Sequence, residues 1–164
     1  MVDDIVDELH ALGVRINQLD REFTALSEAD QSARLLRTVP GIGALNATAL
    51  AAAVGDASAF AKGHDLAAWL GLVPRQITTG GRPRLVGINK RGSTYMRVLL
   101  IRGARAALPW LAKRDTALGA WLRAILARAK RNVVVVALAN KLARIAWVVL
   151  SKRRAYALTP VLAA

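Results

Sequence analysis

The chain contains no cysteine, and its only histidines are His10 and His64. Disulfide frameworks, thiolate metal sites and a histidine zinc cluster are therefore excluded. Long uncharged apolar runs are lacking as well. The best candidate, residues 132–151, is interrupted by Lys141 and Arg144 and falls short of the roughly 20 apolar residues a membrane span needs. The N-terminus is acidic and amphipathic rather than a basic-then-apolar leader, so a cytoplasmic protein without membrane contact is expected. Acids are unevenly missing. No carboxylate lies between Asp65 and Asp115, where ten lysines and arginines fall, and eight of the eleven acids sit in residues 1–30. The overall charge is +13, and residues 31–164, with 22 bases against three acids, carry +19. Such a field attracts a polyanion and says nothing by itself about fold.

The charge concentrates in one stretch, residues 71–108. Pro74, Gly80, Gly81, Pro83, Gly87 and Gly92 punctuate its first two-thirds, which reads as a loop without long strands. Glycines let backbone N–H groups approach a ligand, and arginine forks match phosphate oxygens. Arg75, Thr79, Gly80, Gly81, Arg82, Arg84, Asn89, Lys90 and Arg91 thus form a candidate nucleic-acid-binding loop. Arg97, Arg102 and Arg105 extend it along a helix starting at Ser93 or Thr94. That helix is expected to bury Tyr95, Val98, Leu99 and Ile101 and to break at Pro109.

Elsewhere the chain reads as helical. Val2, Ile5, Leu9, Leu12, Ile16, Leu19, Phe23 and Leu26 recur at spacings of three and four, with charges between them. That pattern predicts a coiled-coil helix over residues 1–30 and a homo-oligomer formed through residues 2–26. A helical domain follows over residues 31–151, then a loose tail over 152–164. Within the domain, Leu35, Leu36 and Val39 finish one helix, Pro40-Gly41-Ile42-Gly43 turns, and a second helix runs to about Val54. This resembles a helix-hairpin-helix, in which Gly41 and Gly43 would hold a DNA phosphate without reading sequence. Asp65 supports a short helix from about His64, and Leu118, Trp121, Leu122, Ile125 and Leu126 mark another. Val133–Val136 are β-branched, but the run continues without a breaker and reads as a buried helix with Asn140, Lys141 and Arg144 on one edge. The fold class expected is all-α.

The segments LRTVPGIG, DLAAWLGLVPRQ, TTGGRPRLVGINKRGSTYMRVLLIRGARA and NVVVVALANKLARIAWVVL, in that order, resemble the C-terminal transposase domain of the insertion-sequence 110 family, in particular its 1111 subgroup. These are bridge-RNA-guided DNA recombinases of the DEDD type. The resemblance implies DNA recombination, DNA and a structured guide RNA as partners, and assembly through a coiled coil. It also implies an N-terminal RNase-H-like domain whose carboxylates bind magnesium, and a serine in the C-terminal domain that attacks a DNA phosphodiester. This sequence holds no such acidic cluster, so no cofactor of its own and a truncated form not catalytic alone are expected. Where the family has Ser-Ser/Thr-Gly-Gly-Lys/Arg, this chain has Thr78-Thr79-Gly80-Gly81-Arg82. The nucleophile position maps to Thr78, or to Thr79 if the alignment slips by one. Two alternatives stand beside the DNA-binding domain: a non-catalytic regulator that forms mixed oligomers, and a nucleophile-bearing half served by a separate RNase-H-like chain.

Overall fold

The computed structural model describes residues 2–157, which form seven α-helices and one two-stranded hairpin. In chain order these are α1 (Val2–Ala29), α2 (Gln31–Arg37), α3 (Ala44–Val54), a 3-10 turn (Ala57–Ala59) and α4 (Gly63–Trp69). The hairpin strands β1 (Pro74–Thr79) and β2 (Arg82–Ile88) come next, followed by α5 (Thr94–Leu111), α6 (Ala117–Leu126) and α7 (Arg131–Lys152). The fold is predominantly helical, as expected.

Helix α7 is its axis. Val134, Val135, Leu138, Ala139, Leu142, Ala143 and Ala146 are buried, and α2, α4, α5 and α6 all pack on it. The β-branched run pays only tenths of a kcal/mol per residue in helix propensity, far less than burying those side chains gains. Contrary to the sequence reading, α7 is long and apolar enough to cross a membrane even with Lys141 and Arg144 counted, but half of its most apolar window is buried inside the bundle. A core helix meets the same requirement for a different reason.

Short polar residues start the helices around it. Asp30 accepts from the Ala33 N–H at 2.6 Å and so separates α1 from α2. Ser93 caps α5 through the Met96 N–H at 3.3 Å, and Thr116 caps α6 through the Gly119 N–H at 3.1 Å. Asp65 accepts from the Lys62 N–H at the start of α4.

Four features differ from the sequence reading. The central segment is a β-hairpin rather than a loop, because its glycines sit in the turn and at the ends of the strands instead of within every run. Pro109 lies inside α5, in its last turn. There its fixed φ is helical, and only one backbone hydrogen bond is forgone shortly before the helix ends. The buried face of α5 is carried by Met96, Leu100, Ala104, Ala107, Leu108 and Leu111 along with Leu99, leaving Tyr95 and Val98 exposed. Finally, residues 153–157 fold back: the Tyr156 N–H donates to Thr38 Oγ1 at 2.8 Å and its ring packs on the core. The rest of the expected loose tail, 158–164, lies outside the described residues.

Candidate nucleic-acid interface

The hairpin is built by its turn. Gly80 and Gly81 have φ of +58° and +75°, the two positive values that a two-residue type I′ turn requires. They join strands whose register pairs Thr79 with Arg82, Thr78 with Pro83 and Ile77 with Arg84. Directly opposite residues of an antiparallel pair share a face. Thr79, Arg82, Ile77 and Arg84 therefore lie on one side and Thr78, Pro83 and Gln76 on the other. Gln76 Nε2 donates to Thr78 Oγ1 at 3.3 Å. Arg75 stands where the register shifts between Pro74 and Gln76. Arg75, Arg82, Arg84, Thr78 and Thr79 are all exposed, and no carboxylate lies on either strand.

The foot of the hairpin is tied down by backbone contacts that only glycine permits. A Cβ on Gly92 would collide with the Trp69 carbonyl oxygen, and one on Gly71 with the Arg91 carbonyl and the Arg97 guanidinium. Across this crossing the Asn89 N–H donates to Val73 O, and the Lys90 N–H donates to Gly71 O. Lys90 takes a left-handed φ of +60° to do so. The side chains of Lys90 and Arg91 remain exposed.

Arg97 does not join this surface. It is 8% exposed and donates to Leu70 O at 3.3 Å and to Thr94 Oγ1 at 3.1 Å. Its guanidinium locks the entry of the hairpin to the start of α5, while Arg102 and Arg105 face solvent further along that helix. The expected arc of three arginines on α5 is reduced to two.

Gly41 and Gly43 differ in the same way. Gly41 (φ +91°) is packed inward, where a Cβ would press on Ala107, the Gly103 carbonyl and Leu142. Asn46 Nδ2 ties this turn to α5 by donating to Leu99 O at 3.1 Å. Gly43 precedes α3 and has open space around its Cα. Close helix packing thus accounts for Gly41, and Gly43 retains an accessible backbone. The turn rests on α5 at Gly103, between Arg102 and Arg105 in sequence.

A second basic hollow, of about 720 Å³, was not foreseen; Lys62, His64, Lys141, Arg144, Lys152 and Arg154 line it. These residues come from α4, α7 and the folded-back segment, so no local run of sequence could have grouped them. Trp110 was missed too: it is 40% exposed, and the Arg114 guanidinium lies 4.7 Å from its ring centroid.

The three carboxylates beyond residue 30 are engaged away from the hairpin. Asp56 accepts from the Ser58 hydroxyl and N–H, Asp65 binds the Lys62 N–H, and Asp115 lies 3.7 Å from Arg123. Among the described residues no three acids or histidines approach closely enough to hold a metal ion.

The segment that holds the turn, the hairpin and the capped helix matches a known family. Residues 33–118 match the family described as Transposase IS116/IS110/IS902. The chain belongs to that transposase family. A probable family 20 transposase of Pseudomonas aeruginosa is 48% identical over 156 residues, covering 95% of this chain and 46% of its own length. The transposase for insertion sequence element IS1328 of Yersinia enterocolitica is 44% identical, covering 82% of this chain and 40% of its own. The transposase for IS1111A of Coxiella burnetii is 38% identical over 86% of this chain and 39% of its own, in keeping with the 1111 subgroup. The chain spans less than half the length of each of these transposases.

Proposed function

We propose that this chain is the DNA-engaging C-terminal part of an insertion-sequence transposase, gripping the sugar-phosphate backbone during recombination. The observation that carries this reading is the hairpin: a carboxylate-free finger with Arg82 and Arg84 on one face, Arg75 at its register shift and Lys90 and Arg91 at its foot. Arg102, Arg105 and the open backbone at Gly43 supply a second, sequence-neutral contact. Guanidinium forks and N–H groups position a duplex without reading its bases. Titration of a DNA duplex at several salt concentrations tests this. Affinity should fall steeply, by roughly one unit of log–log slope per phosphate neutralised. Absence of binding at low salt would end the proposal. A structured RNA titrated in parallel tests the guide-RNA partner.

Self-association through α1 belongs to the same reading. Val2, Ile5, Leu9, Leu12 and Ile16 are each more than half exposed, a stripe that a second α1 would cover. The same stripe would let the chain regulate a longer transposase by forming mixed oligomers.

A second reading makes the hairpin alcohol a nucleophile that works with a separate RNase-H-like chain. Its hydroxyl oxygen bonds to phosphorus, the 3′-oxygen leaves and takes the proton, and a 5′-phosphothreonine remains. Thr78 is the position the family motif indicates; Thr79 has the arginine face in its favour. A covalent protein–DNA adduct that disappears in Thr78→Ala assigns the role to Thr78, and one lost only in Thr79→Ala assigns it to its neighbour.

A further inference from the structure

A hollow of about 680 Å³ opens at the foot of the hairpin, between Pro74, Gly87 and Ile88 on one side and α6 and α7 on the other. Its volume falls within the roughly 300–1,000 Å³ of sites that bury most of a small organic ligand. Leu72, Val133 and Val136 give it an apolar wall, and Val133 is 58% exposed. Trp121 supplies an aromatic ring, with the Lys141 ammonium 4.3 Å from its centroid. Among the described residues its charged lining is Lys90, Lys141 and Arg144, without a carboxylate.

We propose that this hollow takes one unpaired nucleobase of the DNA that the hairpin engages, with the attached phosphate held by Lys141 and Arg144. The inference rests on the DNA-binding reading above and adds to it a recognised element, an extrahelical base. Three observations favour a nucleotide over an apolar side chain of a partner. All charged groups of the lining are cationic, an aromatic face is present, and the hollow continues the route of β2 away from Arg82 and Arg84. A paired base is stacked within its duplex and cannot enter a side hollow; an unpaired one can stack on an aromatic ring. The base takes the indole face that Lys141 now covers, which frees the ammonium for the phosphate. Burial, and after it the neighbouring Arg144, already hold the Lys141 amine below its usual range. The negative charge of an incoming phosphate opposes both effects.

The test compares two DNA duplexes carrying the fluorescent base 2-aminopurine, one in a single-nucleotide bulge and one fully paired, against the full chain. The bulged probe should bind more tightly, and its fluorescence should be quenched on binding. Trp121→Ala should weaken the bulged complex by roughly 5- to 150-fold, the value of one base–aromatic stack, and change the paired complex less than about twofold. Val133→Glu, at an exposed position that folding does not depend on, should do the same by placing a carboxylate at the mouth of the hollow. Equal affinity for the two probes, or equal losses for both in either variant, would overturn the proposal while leaving the DNA reading intact. A change in solution mass in Val133→Glu would assign the hollow to a second copy of the chain instead. If neither probe bound at low salt, the DNA reading itself would fail and take this inference with it.

Discussion

Thr79 stands directly across the hairpin from Arg82, while its neighbour Thr78 stands across from Pro83 and accepts a hydrogen bond from Gln76. Consecutive strand residues point to opposite faces, so a one-residue difference decides whether a hydroxyl shares its surface with arginines. The Gly80-Gly81 turn fixes which residue is which, because a two-residue loop leaves the register no slack.

Removing Arg82 or Arg84 should weaken DNA binding about equally for unrelated sequences. Each alanine variant should lower the salt slope by roughly one unit. Fluorescence anisotropy across a salt series measures this, and a sequence-dependent loss would instead indicate base contacts.

Arg97→Ala should behave differently from Arg102→Ala. Losing the buried guanidinium strands the Leu70 carbonyl and loosens the hairpin foot, at a cost of about 1–3 kcal/mol. Arg102 is exposed, so its removal should leave stability within about 0.5 kcal/mol and reduce DNA affinity. Urea denaturation and DNA titration of both variants separate the two roles.

Gly103→Ala should destabilise the domain by about 1–3 kcal/mol, because the added methyl would run into the Gly41 carbonyl where α5 backs onto the α2–α3 turn. The change is read as a lower urea midpoint. The same substitution at Gly13, whose surroundings are open, should be tolerated.

Leu9→Asp and Ile16→Asp should leave the domain folded, because both side chains are exposed on α1 rather than part of the core. Light scattering should nevertheless show a lower mass than for the parent chain. An identical monomeric mass in parent and variants would remove the coiled-coil proposal.

Asp56 predicts part of the acid response. The Ser58 hydroxyl first, and then its N–H, hold this carboxyl below its ordinary 3.8. The folded state therefore binds fewer protons than the unfolded chain. The stabilisation is present above the unfolded pKa and is lost as pH falls through the lower folded value. In Asp56→Asn the stability lost between about pH 5 and pH 2 should be smaller than in the parent chain, as measured by denaturant midpoints.

The helical class, the caps at Ser93 and Asp65, the continuation of the Val133–Val136 run as a helix with Val134 and Val135 in the core, and the family itself were legible from the chain alone. Capping residues act on their own first turn, and a 3.6-residue period records burial along a single helix. The hairpin was legible as well, since Gly-Gly between QITT and RPRLV is a two-residue turn signal; counting glycines as loop markers concealed it. What the sequence by itself determined is where charge and apolar surface lie along the chain: an acidic striped helix, then a basic domain without carboxylates at its centre. Tertiary structure alone decided which of those groups face outward. Arg97 is turned in because Leu70 O lies within its reach, Gly41 is packed because α5 comes that close, and Lys141 with Arg144 meet Lys62 and Arg154 only after α4 and the terminal segment close on α7. Local sequence sets a residue's preference, but contacts between distant segments set its surroundings, and those surroundings determine what its charge can do.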